Sequence, residues 1–84
     1  MVGVTQAKST AIKLNIFPNP SSGIFYIQSS SKIQKLEVFN SLGQLVLSKE
    51  SGLQSIDLSG FVMGIYYLKA SSDLGVVIKK IVLK

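Results

Sequence analysis

Few side chains in this sequence could perform acid–base or nucleophilic chemistry. The chain has no histidine and no cysteine, which excludes cysteine nucleophiles, zinc fingers and histidine-based proton transfer. Its many serines cannot form the usual catalytic triad without a histidine. The carboxylates have no paired spacing, and each is readily explained as a strand or turn residue: Glu37, Glu50, Asp57 and Asp73. We therefore expect no catalytic, metal or cofactor site, and we rank a hydrolase last among the candidate functions.

The charge of the chain argues against nucleic acid as a partner. The net charge of +5 comes from nine lysines, with no arginine to make the bidentate contacts that nucleic-acid readers use. The lysines lie along the whole chain rather than in one block, so we interpret them as a solvated surface and predict no nucleic-acid partner. No apolar run approaches the ~20 residues that cross a bilayer, so we also predict no membrane span.

The pattern of the remaining residues predicts one all-β domain. Short β-branched and aromatic runs are separated by turn signals about every 8–12 residues, which is the spacing of a β-sandwich. Segment 40–43 predicts a hairpin turn that closes with Gly43 in the left-handed region. We predict seven short strands and no helix, with the strands at residues 13–17, 24–28, 33–40, 44–49, 55–58, 65–70 and 76–83.

Both prolines of the chain lie in one short segment, residues 16–23, between the first two predicted strands. Each proline fixes its own φ and disfavours the helical region for the residue before it, so Phe17 and Asn19 should be extended. The residues that follow, up to Gly23, suit a turn. We predict that this corner fixes how the first two strands leave the preceding linker.

The first residues of the chain are small and polar, and they lack the apolar core of a signal peptide. We interpret residues 1–12 as a flexible linker behind an artificial start methionine. On this interpretation, residues 13–84 are a domain that follows an upstream cargo domain in a longer parent protein.

Five short motifs follow one another in a fixed order along the chain. They comprise a proline-rich corner, a glycine turn, a Leu-Ser pair, a Gly-x-Tyr segment and a lysine-hydrophobic block at residues 79–82. The motif residues before that block are Pro18, Asn19, Pro20, Gly23, Gly43, Leu58, Ser59, Gly64 and Tyr66. This ordered series, over residues 13–84, resembles the C-terminal sorting domain of the type IX (Por) secretion system.

The resemblance implies an immunoglobulin-like antiparallel β-sandwich of about seven strands at the end of a larger exported protein of Bacteroidetes-type bacteria. It implies a non-catalytic secretion signal that directs its parent across the outer membrane, to the cell surface or the medium. Components of the outer-membrane translocon would read the domain. A sortase-like peptidase would then cleave within residues 1–12 and attach the cargo to surface lipopolysaccharide.

We predict that residues 76–84 form much of the recognised surface, because a terminal strand is an accessible part of such a fold. The candidate recognition residues are Lys79, Lys80, Ile81, Val82 and Lys84. A long edge strand can also recruit a partner strand, and the paired lysines would then either protect the edge or contact an acidic partner. A strand-exchanged dimer remains a further expectation.

The alternative function is a small carbohydrate-binding or adhesive module of a surface enzyme. It needs two or three aromatic side chains exposed together on one face. The candidates are Phe25, Tyr26, Phe39, Tyr66 and Tyr67. Because alternation along a strand turns about half of them inward, we favour a core role. Exposure of Phe25, Tyr26 and Tyr67 in one patch would favour the alternative, and burial would argue against it.

Overall fold

The computed structural model describes residues 12–84, and in this part of the chain it contains seven β-strands and no helix. The predicted linker and its cleavage point lie outside the described residues, except for Ile12. Every strand begins and ends within two residues of its predicted bounds, so the all-β prediction is confirmed. The strands are β1 (Leu14–Phe17), β2 (Ile24–Ser29), β3 (Lys35–Asn40), β4 (Leu45–Lys49), β5 (Ser55–Asp57), β6 (Gly64–Ser72) and β7 (Gly75–Leu83).

Two antiparallel sheets form the layers of a β-sandwich, as predicted. The three-stranded sheet has the order β1-β2-β5, and the four-stranded sheet has the order β4-β3-β6-β7. The β6–β7 hairpin pairs along its whole length, from Gly64 opposite Leu83 to Ser72 opposite Gly75. β7 lies at the edge of its sheet, and it runs from the end of the sandwich where β1 begins to the end that carries residues 18–23.

The core lies between the sheets because successive side chains of a strand point to opposite faces. Each sheet turns its apolar set inward, and each large aliphatic or aromatic side chain buried in this way contributes roughly 1.5–3 kcal/mol. The largest fully buried side chains are Phe25, Leu36, Val38, Ile56, Leu58, Leu68 and Ile81. Most of them belong to the central strands β2, β3 and β6, and Leu58 follows β5 directly.

The β3–β4 hairpin closes with the predicted glycine turn. Gly43 has a φ of 83°, in the left-handed region that favours glycine. Its N–H donates to the carbonyl oxygen of Asn40 at 3.0 Å. The side-chain oxygen of Asn40 accepts the N–H groups of Leu42 and Gln44 at 2.9 and 3.0 Å. Asn40 thus satisfies the donors of the turn that it begins.

The aromatic side chains are divided between the core and two opposite outer faces. Phe25 is fully buried in the three-stranded sheet. Tyr26, its neighbour, lies 49% exposed on the outer face of that sheet, whereas Tyr67 lies 39% exposed on the outer face of the four-stranded sheet. The sandwich separates these two rings, so they form no common platform. The rings of Phe17 and Tyr26 pair at 6.2 Å on one face, but the patch of Phe25, Tyr26 and Tyr67 that would favour the carbohydrate-binding alternative does not form.

A pair of neighbouring substitutions tests the assigned faces. We expect Phe25→Ala to lower the free energy of unfolding by about 3–5 kcal/mol, because it leaves a cavity in the core. Tyr26→Ala removes a half-exposed ring and should cost roughly 1 kcal/mol or less. Urea denaturation of both variants measures the difference, and equal losses would contradict the assignment.

Candidate functional site

The segment of residues 18–23, called here the proline corner, lies along the outer edge of β7. Ser21 forms a parallel bridge with Leu83. The N–H of Ser21 donates to the carbonyl oxygen of Val82 at 3.0 Å, and the N–H of Lys84 donates to the carbonyl oxygen of Ser21 at 2.9 Å. The chain thus crosses from the three-stranded sheet, where β1 lies, to the edge of the four-stranded sheet.

Asn19 extends this pairing with its side chain. Its Nδ2 donates to the carbonyl oxygen of Lys80 at 3.1 Å, and its Oδ1 accepts the N–H of Val82 at 3.0 Å. A side-chain amide offers the same donor and acceptor as a peptide group. The flanking residues, Pro18 and Pro20, have no N–H to offer. Asn19 therefore takes the place of a strand residue beside β7.

The other end of the proline corner packs against the connection that follows β5. The N–H of Leu58 donates to the carbonyl oxygen of Gly23 at 2.8 Å. The buried hydroxyl of Ser21 donates to the carbonyl oxygen of Ile24 at 2.6 Å and accepts the N–H of Gly23 at 3.2 Å. A Cβ on Gly23 would lie 3.0 Å from the Cβ of Ser59, so a side chain at this position would require the Ser59 segment to shift by a few tenths of an ångström.

Asp57 fixes the start of the same connection. Its Oδ1 accepts the N–H of Ser59 at 2.9 Å. The hydroxyl of Ser59 and then its N–H hold the pKa of the exposed Asp57 carboxyl below its ordinary range. Asp57 therefore acts as a turn-capping residue, which agrees with its interpretation from the sequence.

The other carboxylates lie apart from Asp57. Glu37 is 3.8 Å from the ammonium groups of both Lys35 and Lys69 on the outer face of the four-stranded sheet. Asp73 accepts a hydrogen bond from the side-chain amide of Gln34. Among residues 12–84, no three His, Cys, Asp or Glu side chains gather in a way that could hold a metal ion. No helix in this range is long and apolar enough to cross a membrane.

All five sequence motifs meet at one end of the sandwich. The proline corner contacts both the Leu-Ser pair and the lysine-hydrophobic block through the hydrogen bonds above. Gly64 pairs with Leu83, and Tyr66 is buried and pairs with Asn40, from which the Gly43 turn begins. Residues far apart in the sequence therefore form one continuous structural unit.

A comparison with known families agrees with this arrangement. The family described as the secretion system C-terminal sorting domain matches residues 15–84. The chain belongs to this family. No curated protein matches the chain. The sorting domain is the C-terminal signal for type IX secretion, and its family is not catalytic.

Membership of the family confirms the predicted function and destination of the sorting domain. Such a domain implies a larger parent protein and the type IX machinery that exports it. It marks that parent for transport across the outer membrane, to the cell surface or the medium. An origin in Bacteroidetes is consistent with the family.

The predicted recognition residues occupy different environments on β7. Lys79, Lys80 and Lys84 are exposed, Val82 is half-buried, and Ile81 is fully buried in the core. The charged groups therefore face solvent, whereas Ile81 anchors the strand. A shallow cleft of about 230 Å³ lies where β1 and β7 approach each other across the sandwich. It is lined by Leu14, Asn15, Ile16, Asn19, Lys79 and Lys80.

The sequence did not reveal that the proline corner binds β7. It predicted a corner that orients the first two strands, and it treated Asn19 and Ser21 as corner and turn residues. One signal was present: an asparagine between two prolines has no neighbouring N–H with which to continue a ladder. Its side chain is then the natural source of hydrogen bonds.

The contact between Gly23 and Ser59 predicts a reciprocal pair of substitutions. Gly23→Ala should lower the free energy of unfolding by about 1–3 kcal/mol, because the added methyl group overpacks the contact. Ser59→Gly removes the opposing Cβ, so the double variant should recover part of this loss. A double-mutant cycle from urea denaturation measures the coupling, and strictly additive losses would show that the two residues do not meet.

The two hydrogen bonds from the Asn19 side chain to β7, called here the Asn19 clamp, predict which amide hydrogens exchange faster when they are lost. Asn19→Ala removes two hydrogen bonds to β7 and should cost about 1–2 kcal/mol. Amide exchange at Val82 should become faster, while exchange at Ile81, whose N–H faces β6, should follow only the global stability. Asn15→Ala, an exposed asparagine on β1, is the matched control and should change neither measurement. Unchanged exchange at Val82 in Asn19→Ala would contradict the clamp.

Proposed function

We propose that the type IX translocon reads the sorting domain mainly through residues 76–84. The observation that carries the proposal is the position of β7, an edge strand with exposed lysines at the margin of the sandwich. Lys79, Lys80 and Lys84 contact the receptor, while Ile81 holds the strand in place from the core. Val82, half-buried between these lysines, contributes apolar surface.

In this proposal the sorting domain needs no catalytic residue, cofactor or nucleic acid. Its role is to present a rigid folded surface, and the proline corner supports that role by fixing the last residues of β7. Residues 1–12 serve as the linker to the cargo. β1 begins at the end of the sandwich opposite the corner. Cleavage of the linker by a sortase-like peptidase would therefore leave the fold intact, and the peptidase would attach the released cargo to surface lipopolysaccharide.

Export of a reporter tests the proposed surface. Deletion of residues 76–84 also removes the core residues Ile81 and Leu83, so it cannot separate recognition from folding. We therefore propose the triple change of Lys79, Lys80 and Lys84 to Gln, in a periplasmic reporter fused to residues 1–84 in a type IX-competent bacterium. Secretion should fall about tenfold or more, because the contacts across the interface lose their charge.

The matched control changes three other lysines, Lys13, Lys32 and Lys35, to Gln. It lowers the net charge by the same amount but alters residues at the linker end of the sandwich. This variant should be secreted like the wild-type fusion. Normal secretion of the variant with changes at Lys79, Lys80 and Lys84 would contradict the proposal.

A strand-exchanged dimer of the sorting domain is part of the same proposal. β7 would be the exchanged strand. For exchange, the short turn of the β6–β7 hairpin would open and the hydrogen bonds between β7 and the proline corner would break. Loss of the Asn19 clamp should therefore raise the dimer fraction at high concentration. Light scattering on Asn19→Ala measures this fraction, and a purely monomeric variant would contradict strand exchange.

A further inference from the structure

The proline corner covers only one half of the outer edge of β7. The carbonyl oxygen of Lys80, both main-chain groups of Val82 and the N–H of Lys84 point away from β6 and bind the corner. Because main-chain groups alternate along a strand, Val76 and Ile78 also point their N–H and C=O groups away from β6. In the described part of the chain, the main-chain hydrogen bonds outside the ladders include none to these two residues.

The uncovered half-edge, defined here as residues 76–80, ends at Lys80, where the proline corner begins to cover β7. The corner ends at Asn19, whose side chain binds the carbonyl oxygen of Lys80 and leaves the N–H of Lys80 free of the corner. The half-edge is about 17 Å long at ~3.4 Å per residue. Ile78, at its centre, is 61% exposed. An extended segment of similar length fits beside it without disturbing the corner.

Two lysines at one end of this half-edge lie on opposite faces of the sheet. Lys79 pairs with Leu68 and so lies on the core-facing side of β7, yet it is exposed at the open margin. Lys80 pairs with Tyr67 and lies on the outer face. Any strand added here would have an ammonium group near each of its faces. A segment with carboxylates on both faces would match them, whereas a basic segment would be repelled.

We propose that the half-edge is the docking site for an extended acidic segment of the translocon, which adds to the four-stranded sheet as a fifth strand. Its main chain pairs with Val76, Ile78 and the N–H of Lys80, and its carboxylates contact Lys79 and Lys80. Main-chain hydrogen bonds supply the affinity, and the lysines supply the selectivity. This inference rests on the proposed recognition role of residues 76–84, and it adds the binding mode and the chemistry of the partner.

Substitution of Ile78 separates strand addition from side-chain contact. Ile78→Pro removes the outward N–H, and it spares the β6–β7 ladder because that N–H faces away from β6. Ile78→Thr, the matched control, also removes the apolar side chain but retains the N–H. We expect the proline variant to lose about tenfold or more in export of the fused reporter, and the threonine variant to retain it. A folded proline variant exported at the wild-type level would overturn strand addition.

Charge reversal tests the acidic character of the partner and does not depend on the folding of the proline variant. Lys79→Glu with Lys80→Glu should abolish export, because the new carboxylates repel those of the acidic segment. Both side chains are exposed, so the changes should leave the fold intact. Lys79→Arg with Lys80→Arg keeps both positive charges, so its export should exceed that of the double Glu variant by about tenfold or more. Equal export of the two double variants would overturn the acidic partner.

A binding experiment separates the docking mode from the export function. The probe is a synthetic eight-residue peptide with the repeat Glu-Glu-Val-Val, which places glutamates on both faces of an added strand, and the control peptide has lysine in place of glutamate. The acidic peptide should slow amide exchange at Ile78 and Lys80, and the basic peptide should not. Slowing by both peptides or by neither would overturn the proposal. Normal export of the fusion with Lys79, Lys80 and Lys84 changed to Gln would instead overturn the proposed recognition role.

Discussion

The hydrogen bonds between the proline corner and β7 are the constraint on which the rest of the structure depends. They join the segment that leaves the three-stranded sheet to the last strand of the four-stranded sheet, and thus they close one side of the sandwich. Each bond contributes only about 0.5–1.5 kcal/mol net. A domain of this size has a small core and here has no disulfide, so a few such bonds are a substantial part of its stability.

This constraint gives a physical reason for the order of the sequence motifs. Asn19 lies 63 residues before Val82, yet the two residues bind each other. Gly23 has no side chain because Ser59 occupies the space beside it. The proline motif therefore contacts both the Leu-Ser motif and the lysine-hydrophobic block. Their spacing along the chain reflects the lengths of the strands that bring them together.

The strands and the Gly43 turn were predictable from the sequence because their signals are local: alternation of apolar residues, and an asparagine four positions before Gln44. The Asn19 clamp was not predictable, because a side chain that replaces a main-chain hydrogen bond of a strand ladder leaves no periodic pattern in the sequence. The sequence analysis also grouped Lys79, Lys80, Ile81, Val82 and Lys84 as candidate recognition residues. It could not show that Ile81 is in the core or that the corner divides the edge of β7 after Lys80, because both depend on contacts between distant segments.

An unpaired strand edge is ordinarily a risk, because it offers main-chain groups to any other strand. The sorting domain limits that risk in two ways: the corner shortens the open edge to residues 76–80, and the like charges of Lys79 and Lys80 disfavour edge-to-edge pairing with β7 of a second copy when no strand is exchanged. The same two features suit recognition. In the proposed docking mode, a short open edge with a fixed boundary would admit an incoming segment in few registers, and the pair of lysines would select an acidic one. On this proposal, protection against edge-to-edge pairing and selection of a partner follow from the same residues.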